Sequence, residues 1–415
     1  MAIGDLRIGL DDTDSADGLC TTWLGALLAR RLRAAGCRVS ECRLVRLNPN
    51  APFRTRGNAA VCLDARGDPG DVFRLACSTV EEFAPLDAPM TNPGVVVTDQ
   101  PLPVAWYRRA VTDLCTVDGA LGVLEGAGAL FRGYGNARGL IGASAAVAAS
   151  FPDATFELLV YRERERWGTV RQVDAGSLFH AEGVTRPHTW DTVDTARGTT
   201  VCVPHTPDPV LFGIRGESPE WVARARALVS SEPAAFEECW RTNQGTDAHL
   251  VPGRCGHLLE GRSYIVAGTV ATPPATGDGG HVTLRLDDRA AELRCMAYEP
   301  TKGFRDVVRS LRPGDRVVVC GSYRRGSLNL EKLRVVRVAV AASVRPPRCP
   351  SCGRRTTSDG RGRGWKCRAC RTRTREPEVV IEERTVAPGW YEVPPSARRH
   401  LAKPLCRGPP RLPGR

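Results

Sequence analysis

Residues 8–22 read Ile8-Gly9-Leu10-Asp11-Asp12-Thr13-Asp14-Ser15-Ala16-Asp17-Gly18-Leu19-Cys20-Thr21-Thr22. The apolar residues 6–10 predict a short buried strand. From Trp23 to Leu32, apolar residues recur at three- and four-residue steps, which predicts a helix. The intervening residues 11–18, which we call the acidic loop, place three carboxylates within their first four positions. The stretch therefore predicts a strand, an acidic loop and a helix, in that order.

The acidic loop has the composition of a magnesium and nucleotide site. Mg²⁺ takes oxygen ligands and usually shares them with the phosphates of a nucleotide. A helix that begins near Thr21 would also direct free backbone N–H groups at an anion. The alternative is an acidic turn in water with a capping threonine, but a cap needs one acid or hydroxyl and this stretch offers at least seven. The predicted Mg²⁺ ligands are Asp11, Asp12 and Asp14. The other predicted nucleotide-binding residues of the stretch are Thr13, Ser15, Gly18 and Thr22.

A second polar loop lies between two strand-like runs at residues 43–63. It contains two arginines and Gly57, at which the backbone can come close to a phosphate. Alone the pattern is weak, but nucleotide sites combine a metal with Arg or Lys side chains. Next to the acidic loop, it predicts that Arg54, Arg56 and Asn58 bind the nucleotide.

A glycine-rich turn at residues 133–142 opens a helix of small residues. Such a turn can cradle a phosphate, although this one fits no Walker spacing. Close packing of the helix explains the glycines and alanines equally well. Both interpretations stay open from the sequence.

The pattern changes after residue 155. We predict strand 156–161, helix 174–182, strand 199–204, strand 210–216, helix 218–230 and strand 236–241. The order βαββαβ is typical of a ferredoxin-like domain. Two polar loops stand out, at 204–209 with three prolines and at 242–249, and polar loops on a rigid scaffold often carry function.

Residues 258–340 predict a five-stranded barrel of the OB-fold type. The predicted strands are 263–270, 281–286, 291–298, 316–322 and 328–338. A helix at 304–311 between the third and fourth strands matches this fold, which often binds oligonucleotides. The segment has few aromatic residues, so contact with a duplex or a backbone is favoured over stacking on single strands.

Two Cys-x2-Cys pairs follow the barrel. Cys349, Cys352, Cys367 and Cys370 provide four thiolates at the spacing of a zinc ribbon. Because four cysteines leave no open coordination position, the predicted Zn²⁺ is structural. Between the pairs lie six basic residues or aromatics suited to phosphate and base contact: Arg354, Arg355, Arg361, Arg363, Trp365 and Lys366.

Length and charge limit the class of protein. At 415 residues the chain is too long for a single hydrophobic core, so we expect several domains. The net charge is +12, and residues 344–415 hold 18 Lys and Arg against 6 Asp and Glu, which is the whole excess. A basic block favours a nucleic acid as partner. A solubilising tail is the alternative.

Hydropathy and cysteine spacing indicate a cytoplasmic protein. No apolar run approaches the roughly 18 residues of a membrane span, and the N-terminus lacks the pattern of a signal peptide. Twelve of the 16 cysteines are scattered singly, as free thiols in a reducing compartment are. We therefore expect no membrane partner.

Several long motifs, in this order along the chain, resemble the archaeal tRNA 2-agmatinylcytidine synthetase family. They are DDTDS…GLCTTW, LNPNAPFRTRGN, RGLIGASAA, PHTPDPVLFGIRGE, TNQGTDAHL and ARRHLAKPL. The resemblance implies a multidomain α+β protein. Its expected parts are an ATP-binding kinase-like domain (1–150), a ferredoxin-like domain (151–255), an OB-fold (258–343), a zinc ribbon (346–376) and a basic C-terminal tail (377–415).

The resemblance also implies an activity. The family joins agmatine to the wobble cytidine of the isoleucine tRNA with the CAU anticodon, so that the tRNA reads AUA rather than AUG. ATP is converted to AMP and two phosphates, and the last two modules would hold the tRNA. Thr21 corresponds to a threonine that is phosphorylated in the family. Because agmatine carries a guanidinium, Asp208 is the expected carboxylate partner, with Arg215 as a second substrate-binding residue.

Two other interpretations stay open. A nucleic-acid-binding factor without catalysis also combines an OB-fold with a zinc ribbon, but it leaves the acidic loop unexplained. A different ATP-dependent nucleotide-modifying enzyme could use another amine, because the choice of amine depends on the shape of the pocket.

Overall fold

The acidic loop follows the strand that its sequence predicts. In the computed structural model, which describes residues 4–53 and 57–412, Ile8 and Leu10 on this strand are fully buried. The next helix begins at Thr21 and packs its apolar side into the same core. The elements of this region are β1 (Gly4–Asp11), α1 (Thr21–Ala34), β2 (Arg38–Arg46), β3 (Ala59–Gly67), α2 (Pro69–Phe83), β4 (Gly94–Thr98), α3 (Val104–Thr112), α4 (Val117–Gly126), β5 (Leu130–Gly133) and α5 (Gly139–Val147).

The next stretch continues the same sheet. Its elements are β6 (Thr155–Arg162), α6 (Ala175–Thr185), β7 (Thr189–Trp190), β8 (Val193–Asp194), β9 (Thr199–Thr200), β10 (Val210–Gly216), α7 (Pro219–Ala227), β11 (Ala234–Thr242) and β12 (Leu250–Pro252). The sheet has nine strands in the order β5-β4-β1-β3-β2-β11-β6-β10-β7. Its two halves are joined by parallel pairing of β2 with β11, where Arg43 lies opposite Arg241 and Leu44 opposite Thr242.

One predicted strand of the second half is wrong. Residues 199–204 do not form the edge of the sheet, because only Thr199–Thr200 is a strand and it pairs with Val193–Asp194 outside the main sheet. The edge strand next to β10 is instead Thr189–Trp190. The backbone N–H groups of Val201 and Cys202 both donate to the carbonyl of Thr192, and Pro204 has no N–H to continue a ladder.

The five predicted strands of the third region are confirmed, and they close into a barrel. The elements are β13 (Ser263–Val270), β14 (Ala275–Thr276), β15 (Val282–Asp287), β16 (Glu292–Ala297), α8 (Gly303–Arg309), β17 (Arg316–Arg324) and β18 (Ser327–Arg337). β13 pairs with β17 on one side and β15 on the other, which closes the ring. β12 also pairs in parallel with β13, which ties the barrel to the end of the nine-stranded sheet.

A small module follows the barrel. Its elements are β19 (Ala342–Arg345), β20 (Thr357–Ser358), β21 (Trp365–Lys366), β22 (Arg373–Thr374) and β23 (Glu378–Ile381). β19 pairs with β23, and this two-stranded neck leads to a three-stranded sheet of β20, β21 and β22. The predicted zinc ribbon is therefore held away from the barrel by the neck.

After the small module, the chain packs back against the barrel and the nine-stranded sheet. β24 (Gly389–Glu392) pairs with β18 of the barrel. Residues 394–411, which we call the C-terminal segment, lie against the nine-stranded sheet. Arg398 forms an ion pair with Asp191, and Arg407 bonds Glu217 at 2.5 Å. Part of the basic charge at the end of the sequence is thus neutralised within the molecule.

None of the helices between residues 4 and 53 or between 57 and 412 combines the length and the apolar character needed to cross a membrane.

Candidate active site

The carboxylates of the acidic loop lie at the end of β1. Asp12 has a left-handed backbone with φ of 56°, a conformation that costs free energy in a residue with a side chain. Two donors fix its carboxylate: Arg138 Nη2 lies 2.8 Å from Asp12 Oδ2, and the backbone N–H of Asn92 donates to the same oxygen at 3.3 Å. The strained loop is therefore held by two segments that are distant in the sequence.

The electrostatics of the loop suit a cation. Burial, and then the neighbouring charge of Asp12, raise the pKa of Asp11 well above its ordinary value. Burial also raises the pKa of Asp12, although Arg138 opposes the effect. A divalent cation would relieve this repulsion between carboxylates, and oxygen ligands are those that Mg²⁺ prefers. The donor set of the loop thus fits Mg²⁺.

A close helix contact explains the glycine-rich segment. A Cβ atom on Gly142 would lie 1.9 Å from Asp11 Oδ2, and one on Gly9 would lie 2.3 Å from the carbonyl oxygen of Ala143. Helix α5 can therefore lie directly against β1 only because both positions lack side chains. The packing interpretation accounts for these glycines, while Arg138, just before the helix, reaches Asp12.

Thr21 is bound to the acidic loop and does not cap α1. It is the first residue of the helix, and the capping residue before it, Cys20, makes no side-chain cap bond. The hydroxyl of Thr13 donates to Thr21 Oγ1 at 3.1 Å, and the backbone N–H of Thr13 approaches the same oxygen at 3.4 Å. The simple cap interpretation therefore does not describe Thr21. Its hydroxyl is held beside the carboxylates instead.

Of the remaining predicted residues of the stretch, Thr13, Ser15 and Thr22 are buried and Gly18 is partly buried. Thr13 is fully buried, so its contacts are with the protein. Ser15 and Gly18 pair with each other across the tip of the loop through the Ser15 N–H and the Gly18 carbonyl at 3.0 Å. The hydroxyl of Thr22 lies 3.1 Å from Cys20 Sγ.

The first cavity, of about 310 Å³, opens above the acidic loop. Its polar wall contains Asp11, Asp12, Asp14, Asn58 and Arg138. The larger apolar residues that line this cavity are Leu47, Pro52, Phe53, Leu114 and Ile141. Asn58 is fixed in the wall because its Nδ2 donates to the carbonyl of Asn48 at 2.9 Å. The predicted phosphate ligands Arg54 and Arg56 lie outside the residues that the structure describes.

The second cavity, of about 260 Å³, adjoins the first and shares Asp14, Gly57 and Ala59 with it. It lies between the two halves of the nine-stranded sheet. Its wall contains Thr21, Thr22, Arg46, Glu157, Asp208, Arg215 and His400. The structure therefore brings Thr21, Thr22, Asp208 and Arg215 to one cavity, although the sequence separates the two pairs widely.

A buried carboxylate organises the cationic end of the second cavity. Glu157 Oε1 lies 3.1 Å from Arg215 Nε, and Glu157 Oε2 lies 3.7 Å from Arg46 Nη2. Gln244 also donates to Glu157. Burial would raise the pKa of Glu157, but the two arginines outweigh it and keep this pKa below its ordinary value. Glu157 therefore stays ionised and holds both arginines in the wall.

Asp208 is placed in the cavity wall by its own loop. The backbone N–H of Val210 donates to Asp208 Oδ1 at 2.9 Å, and Arg171 Nη2 lies 3.4 Å from the same oxygen. Arg171 also donates to the carbonyls of Pro204 and Val210, so one guanidinium shapes the proline-rich loop. The carboxylate is rigidly held, and part of its charge is already paired.

Sequence reasoning missed several residues of these cavities. They are Arg46, Arg138, Glu157, Gln244 and His400. Arg138, Gln244 and His400 lie within the motifs RGLIGASAA, TNQGTDAHL and ARRHLAKPL, so the motifs contained the signal. Glu157 is one acid in an ordinary strand and carried none.

The four predicted zinc ligands come together at the end of the neck. The sulfur atoms are 3.3 Å apart for Cys349 and Cys370, 3.5 Å for Cys352 and Cys367, and 3.6 Å for Cys352 and Cys370. Tetrahedral zinc, with Zn–S bonds of about 2.3 Å, places its sulfur ligands about 3.8 Å apart. The cluster therefore fits a zinc ion bound by four cysteines.

Family models match three parts of the chain. Residues 7–70 match the TiaS TCKD domain, residues 137–249 the TiaS FLD domain, and residues 346–386 the TiaS C-terminal zinc ribbon domain. The first match contains the acidic loop and the third contains the four cysteines. The second contains Glu157, Asp208 and Arg215.

Full-length relatives agree with these matches. The chain is 49% identical to the isoleucine tRNA 2-agmatinylcytidine synthetase TiaS of Methanocorpusculum labreanum, over 98% of this chain and 97% of the relative. It also resembles the crystal structure of a TiaS complex with isoleucine tRNA and ATP, with 41% identity, a TM-score of 0.92 and 99% of each chain covered. A TiaS complex with isoleucine tRNA, AMPCPP and agmatine gives 40% identity, a TM-score of 0.88 and 97% of each chain. The acidic loop, the two cavities and the zinc ribbon are thus those of a chain that belongs to the isoleucine tRNA 2-agmatinylcytidine synthetase (TiaS) family.

Proposed function

We propose that this chain joins agmatine to the wobble cytidine of the isoleucine tRNA with the CAU anticodon, forming 2-agmatinylcytidine at the expense of ATP. Membership of the family supports the reaction, and the relatives solved with isoleucine tRNA, an ATP analogue and agmatine support the same substrates here. One structural observation carries the proposal: a carboxylate-lined cavity and an arginine-lined cavity adjoin and share Asp14. The modified tRNA would read AUA instead of AUG.

The chemistry requires activation of the base. The 2-oxo group of cytosine is amide-like, so an amine cannot displace it unaided. Transfer of a phosphoryl group from ATP to this oxygen creates a leaving group. The amine nitrogen of agmatine then attacks C2 and loses a proton, and the C2–O bond breaks as phosphate departs with the oxygen. Positive charge beside the transferred group lowers the barrier of such a step.

The first cavity is the proposed nucleotide site. Asp11, Asp12 and Asp14 would hold Mg²⁺, which when bound neutralises charge on the phosphate oxygens. The apolar lining, which includes Phe53 and Ile141, offers a surface for the adenine. Of the further nucleotide-binding residues that we propose, Asn58 lines this cavity and Thr22 the adjoining one. Thr13 is buried and would act by holding Thr21. The others are Ser15, Gly18, Arg54 and Arg56.

The second cavity is the proposed site of amine transfer. Thr21 is proposed to carry a phosphoryl group, and Arg46 and Arg215 in the same wall would stabilise its charge. Asp208, held by the Val210 N–H, is proposed to receive the guanidinium of agmatine. Asp14 lines both cavities, so the proposed nucleotide site and the proposed site of amine transfer meet at this residue.

Domain names are part of the proposal. The strand order β11-β6-β10-β7 supports a ferredoxin-like domain at 151–255, and the ring β13-β15-β16-β18-β17 supports an OB-fold at 258–343. We further propose a kinase-like domain at 1–150, a zinc ribbon at 346–376 and a tail at 377–415.

The barrel and the ribbon would grip the tRNA, supplying binding and register rather than chemistry. The wobble base must leave the anticodon stack to reach the cavities. A tRNA substrate also supports a cytoplasmic location.

A labelling experiment tests the function. The full chain is incubated with ATP, Mg²⁺, radiolabelled agmatine and a transcript of the isoleucine tRNA, with a methionine tRNA transcript as the control. We expect label only in the isoleucine tRNA, and only with ATP. Label in both transcripts, or none in either, would contradict the proposal. Unlabelled putrescine, which lacks the guanidinium, should compete poorly if the amine is chosen by that group.

A further inference from the structure

We propose that His400, in the C-terminal segment, is a positioning residue of the second cavity: it fixes the guanidinium of Arg215 by accepting a hydrogen bond at Nδ1. The inference rests on the proposed function of that cavity. It assigns a role in the reaction to a segment whose basic composition alone indicated a tRNA contact or a solubilising tail.

The geometry joins three elements at one imidazole. His400 Nδ1 lies 2.7 Å from Arg215 Nη2 and 3.1 Å from Gln244 Oε1. His400 Nε2 faces Gly57, since a Cβ atom at Gly57 would lie 3.1 Å from it. Gly57 and His400 both line the second cavity with Thr21. The imidazole is therefore part of the wall that surrounds the proposed reacting groups.

The chemistry of the partners decides how Nδ1 is bonded. Arginine has only N–H donors and keeps its charge in proteins, so Arg215 donates to the Nδ1 lone pair and cannot accept from it. The amide oxygen of Gln244 is an acceptor as well, so its 3.1 Å approach to Nδ1 is a contact and not a second hydrogen bond at that lone pair. His400 Nδ1 is therefore the acceptor for Arg215 Nη2.

The rest of the C-terminal segment holds His400 at this point. The backbone N–H of Gly245 donates to the carbonyl of His400 at 2.8 Å, and the N–H of Asp247 donates to that of Leu401 at 2.8 Å. Arg398 on one side and Arg407 on the other form ion pairs with the body. Because both flanks are anchored, the imidazole limits where Arg215 can lie.

The guanidinium of Arg215 is oriented by hydrogen bonds to Glu157 and to His400. Glu157 fixes the guanidinium at Nε, at 3.1 Å, and His400 fixes it at Nη2. Without His400, the bond from Nε to Glu157 remains, as does a 4.0 Å ion pair from Nη1 to Asp191 Oδ2. Neither of them holds Nη2, so the guanidinium can shift within the cavity. Misplacement of a group by about 1 Å can cost a large factor in rate. Loss of His400 should thus slow the chemical step while substrates still bind.

Two matched substitutions distinguish the roles of the two ring nitrogens, Nδ1 and Nε2. In His400→Asn the amide oxygen occupies the place of Nδ1 and can still accept from Arg215. In His400→Gln the amide reaches the place of Nε2, and the contact to Arg215 is lost. We expect His400→Gln to lower kcat by roughly 10-fold to 100-fold, as loss of an orienting partner does at other sites. His400→Asn should stay close to the parent, and the dissociation constant for tRNA should change in neither.

The measurements are kcat and KM for agmatine incorporation, tRNA affinity and the melting temperature of the full chain. Rescue by Gln rather than Asn would show direct action of Nε2 and overturn the proposal, as would full activity of both variants. Arg411→Ala removes a basic residue near the end of the same segment and should behave as the parent. If the parent itself incorporates no agmatine, the proposed function fails and not the role of His400.

Discussion

The two cavities share a wall but arrange their charges differently. The first places Asp11, Asp12 and Asp14 beside one arginine, whereas the second places two arginines against the buried Glu157 and has Asp208 in its wall. A metal–nucleotide complex suits the former, and a phosphoryl group or its acceptor suits the latter. Asp14 belongs to both. In the proposed reaction, a phosphoryl group that leaves the metal would meet Arg46 and Arg215 beside it.

The largest effect is expected from Asp11→Asn, which removes one carboxylate from the first cavity. Loss of a metal ligand should lower ATP-dependent incorporation by more than about 100-fold. Asp17→Asn is the matched control, because Asp17 lies in the same loop but is exposed. Retained activity in Asp11→Asn would break the comparison, since the first cavity would then not need its negative charge.

The same substitution tests the electrostatics without any turnover. The raised pKa of Asp11 means that the folded state holds a proton which the unfolded state releases. Its stability contribution is therefore best at low pH and falls as pH rises from the ordinary carboxyl pKa toward the raised one. At neutral pH without metal, Asp11→Asn should melt above the parent, and Mg²⁺ should raise only the melting temperature of the parent. A lower melting temperature for the variant would contradict the assigned repulsion.

The next largest effect is expected from Thr21, which lies in the wall of the second cavity. Thr21→Ala removes the hydroxyl that Thr13 holds, and turnover should fall by more than about 100-fold if that oxygen carries a phosphoryl group. Binding of tRNA, measured by filter retention, should not change. Thr21→Ser keeps the hydroxyl and should retain activity. Equal loss of turnover and of tRNA binding in Thr21→Ala would assign the residue to folding instead.

A change outside both cavities should sharpen the comparison. Replacing Cys352 and Cys370 with serine removes two of the four zinc ligands. We expect tRNA affinity to fall by roughly 10-fold or more as the basic ribbon unfolds. Without tRNA, binding of ATP should be unchanged, and Cys406→Ser is the control for an exposed cysteine elsewhere. Unchanged tRNA affinity would dismiss the ribbon as a tRNA contact.

The smallest effect is expected in the second cavity. Asp208→Asn keeps an oxygen for the Val210 N–H but removes the charge, so the loop should keep its shape. Loss of one charge-assisted hydrogen bond to a guanidinium should raise KM for agmatine by about 10-fold. KM for ATP serves as the internal control and should not move. A change in KM for ATP instead would mean that the two cavities do not have separate ligands.

Local motifs were accessible from the sequence, and assembled contacts were not. Asp11, Asp12 and Asp14 stand close together in the chain, as do the cysteines of each Cys-x2-Cys pair, so both groups were visible from spacing. Glu157 gives no such signal, because one acid in a strand becomes part of a site only when the sheet brings Arg46 to it. The same holds for the partners of Arg215.

Charge counting was a weaker guide than spacing. The basic end of the sequence predicted a polyanion partner, yet Arg398 and Arg407 pair with Asp191 and Glu217 of the body. A count of charges cannot show which of them face acids in the folded chain. The predicted strand at 199–204 was wrong for a related reason, since the sequence does not show that the N–H groups of Val201 and Cys202 bond Thr192 in the folded chain.

The single sheet has a further consequence for any attempt to divide the protein. A cut near residue 150 would separate β2 from β11 and leave each fragment with a bare strand edge, which readily recruits other chains. Fragments expressed alone should therefore aggregate, whereas co-expression should recover a complex. Both cavities include Ala59 of β3 in this sheet, so a different amine would have to be accommodated by the proline-rich loop that carries Asp208.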